Sequence, residues 1–173
     1  ISLTADTGQI HNVSSGTILT DRGVSGSSAD GNITLVAGTD VTLGLTTLEA
    51  QNGGDINVTA GGSTTLRPAF GADDKTYDGN NDATSGIIGH VSVNGNNVTV
   101  GNASFAGADV GINKTVSLNS VNTSAPSFTL ASGITDTADI TARQLDVAIG
   151  DDARIYGEVN PAVNFTITNK ATG

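Results

Sequence analysis

The sequence predicts an all-β chain, a short right-handed parallel β-solenoid followed by small antiparallel β-sandwich modules, and three observations carry that prediction. A glycine, a polar residue and an isoleucine recur together at a spacing of 23 residues near the start of the chain. Val, Ile and Leu alternate with Thr, Asn and Ser in short runs, the period-two pattern of half-buried strands. No stretch carries the 3.6-residue spacing of an amphipathic helix. Asp136-Thr137-Ala138-Asp139-Ile140 comes nearest and reads as a turn, because Thr and Asp are poor helix formers.

The repeat is Gly8-Gln9-Ile10, Gly31-Asn32-Ile33 and Gly54-Asp55-Ile56, with Val13, Val36 and Thr59 and then Ile18, Val41 and Thr64 following in step. Gly38 and Gly61 correspond, as do Leu43 and Leu66. One unit holds a strand at Ile33 and Leu35, a glycine corner at Gly38, a strand at Val41 and Leu43, and a third apolar patch at Leu45 and Leu48. Such a unit cannot bury its inward side chains alone, whereas coils stacked at about 4.8 Å form one continuous core. Residues 1–69 are therefore assigned to coils.

Near Arg67-Pro68 the composition changes. All six aromatic residues lie at or beyond Phe70. Pro68 cannot donate to a ladder and is expected to end the pairing, with Gly71-Ala72-Asp73-Asp74 as a linker. Beyond it, Val91 and Val93, then Val98 and Val100, flank Asn94-Gly95-Asn96-Asn97, a hairpin signal because Asn and Gly tolerate positive φ. Further strands are expected around Val116 and Leu118, Phe128 and Leu130, Leu145 to Ile149, and Val163 to Ile167. Spaced by turns, they read as sandwich strands, with one module over 70–142 and the start of another over 143–173.

Composition excludes several functions. With 7 Lys and Arg against 17 Asp and Glu, a net charge of -10, the chain is not expected to bind nucleic acid through phosphates or to sit on an anionic membrane. No apolar run approaches the ~20 residues of a spanning helix, so no membrane insertion is expected. The chain opens at Ile1 without a visible signal peptide and reads as a piece of a longer one. Zero cysteines exclude a disulfide scaffold and a thiolate zinc site, and suit a chain that crosses an outer membrane unfolded. Gly, Thr, Asn and Ser occupy 78 of the 173 positions, which favours turns and polar strand faces over a large aromatic core.

Gly31-Asn32-Ile33-Thr34-Leu35-Val36-Ala37-Gly38 and Gly54-Asp55-Ile56-Asn57-Val58-Thr59-Ala60-Gly61 resemble the haemagglutinin-type repeats of filamentous haemagglutinin-like adhesins, exported from Gram-negative bacteria by two-partner secretion. Lys75-Thr76-Tyr77-Asp78-Gly79, then Asp82-Ala83-Thr84, resembles the opening of a YDG module. Ala103-Ser104-Phe105, Asp109-Val110-Gly111, Lys114-Thr115-Val116 and Phe128-Thr129-Leu130 continue in that module's order to Ala142. Ser127-Phe128 stands where members often carry Asn-Tyr. Leu145-Asp146-Val147 and Arg154 to Pro161 resemble the start of an MBG-type, Ig-like module, and the chain stops at Gly173, early for one.

A search by chemistry yields no catalytic constellation. His11 and His90 lie in different modules without a local metal-ligand partner, and the acids of the first module, Asp6, Asp21, Asp30, Asp40, Glu49 and Asp55, make no pair in register of the kind a carbohydrate-cleaving solenoid needs. Asp78, Asn80 and Asp82 offer oxygens at alternate positions, as in a calcium loop. Ala83 and Gly89 stand where that pattern needs glycine and glutamate, so these residues are expected to cap turn amides. No metal site and no cofactor are expected. Tyr77 and Tyr156 hold parallel places and are each expected to pack a ring on a sandwich. Thr20, Leu43 and Leu66 share one repeat position and break any threonine file suited to ice.

Asn-X-Ser/Thr triplets begin at Asn12, Asn32, Asn57, Asn97, Asn102, Asn113, Asn122 and Asn164, a hypothesis of glycosylation that an intact mass equal to the bare polypeptide would discard. The expected function is non-enzymatic: a rigid stalk in a secreted or surface-attached adhesin, serving adhesion, aggregation or biofilm formation. The resemblance implies an outer-membrane secretion partner and host-cell or matrix glycans or proteins as ligands of the whole adhesin. The alternatives are that this segment itself binds a glycan or exopolysaccharide, or that it is a fragment of a solenoid carbohydrate-active enzyme.

Overall fold

The computed structural model describes residues 2–5, 9–11, 16–20, 31–50, 54–151 and 153–170. All regular structure among them is β. The N-terminal region holds β1 (Ser2–Ala5), β2 (Ile10–His11), β3 (Gly16–Thr20), β4 (Ile33–Ala37), β5 (Val41–Ala50), β6 (Asp55–Ala60) and β7 (Thr64–Pro68). Then come β8 (Phe70–Ala72), β9 (Lys75–Thr76), β10 (Ser85–Ile87), β11 (His90–Val93), β12 (Asn96–Phe105), β13 (Gly111–Asn122), β14 (Phe128–Leu130) and β15 (Thr135–Thr141). A separate two-stranded hairpin, β16 (Asp146–Ile149) and β17 (Phe165–Thr168), follows.

The parallel ladders put like residues on top of one another. In one sheet Ile33, Ile56, Val91 and Val98 form a file across β4, β6, β11 and β12, and Leu35, Val58 and Val93 form the next. In the facing sheet Leu43, Leu66 and Leu130 stack across β5, β7 and β14. Eight of these inward side chains, Ile33, Leu35, Ile56, Val58, Val91, Val93, Leu66 and Leu43, are at most 3% exposed. Burial of each contributes about 1.5–3 kcal/mol. The corners stack as well. Gly61 stands against Gly38, and a Cβ at Gly61 would collide with the Gly38 carbonyl. Asp40 accepts from the Ser63 N–H at 2.7 Å and Asn32 from the Asp55 N–H at 3.0 Å, each bond joining residues 23 apart.

The spacing of 23 thus holds from β4–β5 to β6–β7, where Val36 meets Thr59 and Val41 meets Thr64. It does not extend to the first unit. Ile10, which that spacing aligns with Ile33, adjoins Val41, and Ile18, aligned with Val41, adjoins Leu48, while Leu3 adjoins Leu35. The cause is length: residues 21–32 separate β3 from β4, against 51–54 between β5 and β6. Thr20 accordingly adjoins Ala50 rather than sharing a position with Leu43. The outward file His11, Thr42, Thr65 and Thr129, hidden by that misalignment, runs across β2, β5, β7 and β14. Of the third apolar patch, Leu48 is buried and Leu45 is exposed. Asp6, Asn12, Asp21 and Asp30 lie outside the described residues.

Pairing passes through Pro68, which adjoins Leu48 as the last residue of β7, and the Ala69 N–H still donates to the Leu48 carbonyl. A strand's final residue loses little by lacking a donor. Gly71 and Ala72 of the expected 71–74 linker are strand instead: β8 pairs antiparallel with β10, because Phe70, 8% exposed, is drawn into the core. β11 then lies parallel on β6 and β14 parallel on β7 as further rungs. Asn94 and Gly95 close the β11–β12 hairpin with φ of 49° and 76°, as the Asn-Gly pair predicts. The Asn94 side chain bonds both the N–H and the carbonyl of Ala60, tying the turn to β6. The segment read as a turn, 136–140, is instead the middle of β15, with Ala138 and Ile140 inward. Tertiary burial of that period-two pair outweighs local propensity.

Two apolar clusters result, one around Ile33, Ile56 and Val91 and one around Phe105, Val116 and Ile140, with Val121 packed against both. One imperfection stands in the first. Thr64 fills the file between Val41 and Phe128, is 0% exposed, and its hydroxyl has no hydrogen-bond partner. Thr64→Val keeps the shape and removes an unsatisfied polar atom, so stability should rise by about 1 kcal/mol and the melting midpoint by roughly 2–4 °C. A lower midpoint would mean that the hydroxyl is bonded after all.

Candidate functional site

The region beyond β7 is organised around residues 75–82. β9 ends at Thr76, Tyr77 packs its ring against the Phe105 cluster, and Gly79, at φ 90°, turns the chain back toward β12. The side chains of Asp78 and Asn80 accept from the backbone N–H groups of Asn80 and Asp82, at 3.1 and 2.9 Å. That is the amide-capping role expected of them.

The same oxygens converge on a cation supplied by the chain. The Lys75 ammonium lies 2.8 Å from Asp78 Oδ1, 2.9 Å from Asn80 Oδ1, 2.9 Å from the Asp82 carbonyl and 3.2 Å from the Asn80 carbonyl. It also stands 5.9 Å from the centre of the Phe105 ring. Only 14% of the Lys75 side chain is exposed. The hydrogen bond from Lys75, and next the N–H of Asn80, hold the Asp78 carboxyl below the ordinary carboxylate value. The alternate-oxygen pattern read as half a calcium loop is therefore filled by an ammonium group. Sequence reasoning missed Lys75; a lysine three residues before the first acid was the available signal. Among the described residues no three His, Cys, Asp or Glu side chains are grouped as a metal site.

The far side of the loop is stitched to β12. Phe105 donates its N–H to the Asn81 carbonyl at 2.8 Å, Ala83 donates to Ala103, and Asp82 bridges Ser104. A cleft of about 490 Å³ opens between β10, the start of β11 and β12, lined by Ser85, Ile87, His90, Asn97, Thr99 and Val100 among others. Ile87 packs on the first apolar cluster and Val100 on the second, so the cleft lies over their seam. The Ser85 hydroxyl beside it is buried without a partner.

The remaining candidates stay apart. His11 is exposed on β2, and His90 lies on β11 with Nδ1 3.5 Å from Asp55 Oδ1. Tyr156 does not pack: its side chain is fully exposed, because the described residues of 143–170 form one two-stranded hairpin, β16–β17, and no second layer over it. Asn97, Asn102, Asn113, Asn122 and Asn164 are exposed, while Asn57 is half-buried on β6.

No curated protein and no solved structure matches the chain. A family match does exist, and it covers the strand β7, the Lys75 loop and the β10 to β13 region just described. Over residues 63–127 the chain is similar to the YDG domain, the family whose opening Lys75-Thr76-Tyr77-Asp78-Gly79 resembles.

Proposed function

We propose that this chain is a non-enzymatic segment of a large secreted or surface-attached bacterial adhesin and acts as a rigid stalk. In this reading the parallel rungs of 1–69 end a β-solenoid, 70–142 form a YDG-like sandwich, and 143–173 begin an Ig-like module of MBG type. The observation that carries it is continuity: β11 and β14 stand on β6 and β7 as further rungs, with Val91 and Val93 in the same apolar cluster as Ile33 and Ile56. A junction that shares a ladder and a core resists bending, whereas a linker does not. The absence of cysteine and the YDG match support export to a Gram-negative cell surface through an outer-membrane secretion partner, with glycans or proteins of a host cell or matrix bound elsewhere in the adhesin.

A second reading has one observation in its favour. The seam cleft joins an apolar floor, Ile87 and Val100, to the polar groups of Ser85, His90, Asn97 and Thr99, a combination suited to a neutral sugar ring. An array of glycans and matrix polysaccharides decides between the two. The stalk reading expects no saturable binding. Saturable binding that Ser85→Ala and His90→Ala abolish would replace it with a glycan-binding module, and sugar release from a polysaccharide would revive an enzyme.

A further inference from the structure

We infer that the run entering the YDG-like module and the run leaving it form a shear clamp, a force-bearing seam that keeps the module closed when the stalk is pulled. Residues 64–77 and 127–143 lie side by side and point the same way, each partner 63 to 66 residues beyond the other. The seam opens with β14 on β7, where Thr64 donates its N–H to Ser127 and Ala131 donates to Leu66. The Arg67 guanidinium then forks onto the carbonyls of Ser132 and Gly133, at 2.8 and 2.6 Å.

Between β7 and β9 no backbone ladder joins the two runs, and two carboxylates bridge the gap. Asp136 accepts from the Ala72 N–H at 2.9 Å and Asp74 from the Asp139 N–H at 2.7 Å. β9 then pairs with β15, Tyr77 donates to the Thr141 carbonyl at 2.8 Å, and the Thr141 hydroxyl donates to Lys75. Arg143 closes the seam by donating Nε–H to the Tyr77 carbonyl at 2.7 Å.

Direction decides how this seam meets a load. Tension enters the first run at its N-terminal end, from the coils, and leaves the second at its C-terminal end, toward 143–170. Parallel neighbours loaded at opposite ends slide along one another, so the seam bonds share the force. The antiparallel β11–β12 hairpin, pulled from its two open ends, would instead unzip bond by bond. The clamp's purpose rests on the stalk reading; its geometry does not.

The test is single-molecule stretching of the full chain through cysteines added beyond each end, the chain having none of its own. The module should open in one event near the highest force in the trace, releasing residues 64–143, roughly 270 Å of extended chain. Asp74→Ala with Asp136→Ala should lower the force of that event to about half or less, and Thr141→Val, which deletes one bond, should lower it slightly. Leu118→Ala, in a residue buried on β13 that makes none of the bonds between the two runs, should cost at least as much in melting midpoint yet leave the rupture force nearly unchanged. An event no stronger than hairpin unzipping, or equal force losses in the seam and Leu118 variants at matched midpoints, overturns the clamp. If the double variant does not fold, the graded Thr141→Val response decides. Weak rupture without ligand binding sinks the clamp alone, while saturable binding on the glycan array sinks the stalk reading alone.

Discussion

Replacing Phe105 by Ala is expected to lower stability by about 3–5 kcal/mol, a drop of roughly 10 °C or more in the melting midpoint. Phe105 is 2% exposed and the largest fully buried side chain of the second cluster, packed with Val116, Leu118 and Ile140. Truncation leaves a cavity between β12 and β13 that the ladder between Ala103–Phe105 and Val116–Leu118 keeps from collapsing. The ring is also the face beneath the Lys75 ammonium, so the loss reaches the 75–82 loop. Amide exchange should therefore quicken at the Asn80–Ala83 segment together with β12. A variant melting within about 2 °C of the parent would mean that the second cluster is not a packed core.

Replacing Lys75 by Met is expected to destabilise by about 2–3 kcal/mol, although a hydrophobic chain of similar length fills the space. The methionine cannot donate to the Asn80 and Asp82 oxygens, which were aimed at an ammonium group. The same interaction can be titrated. Because the Asp78 carboxyl is held below its ordinary value, its contribution is complete above the unfolded value near 3.9 and is lost as pH falls through the lower folded value. Protection of the Asn80 amide should fall below about pH 4, and Asp78→Asn should remove that acid dependence. A loop equally protected at pH 3 and pH 6 would contradict the assignment.

How much of this was legible depended on the range of each signal. The Asn94-Gly95 hairpin is a local instruction, two residues that accept positive φ between alternating valines, and the strand pairing follows it. The alternation at Ile33, Leu35, Ile56 and Val58 likewise fixes which face is inward. The register of the first unit was not legible. A three-residue match of glycine, polar residue and isoleucine specifies less than the two long apolar files that place Leu3 beside Leu35. β15 was hidden because Asp136 and Asp139 are poor strand formers, and burial of Ala138 and Ile140 against β13 selects the conformation. At the candidate site the acceptors Asp78, Asn80 and Asp82 were visible as a pattern. Lys75 was not, since whether a flexible side chain folds back on a loop is decided by the ring it lies over.

The rungs raise a problem that β11 and β14 answer. A stack of parallel strands always ends in one whose far edge bears unpaired N–H and C=O groups, a template for recruiting another chain. At β6 that edge is occupied by β11, and the Asn94-Gly95 turn sends the chain back antiparallel into β12, so the growth direction of the stack is not offered onward. At β7 the edge passes to β14, whose three residues give an incoming strand little to pair with. Fibril-like self-association, the hazard native to stacked β-rungs, is thereby blocked at this end by the chain's own next segment.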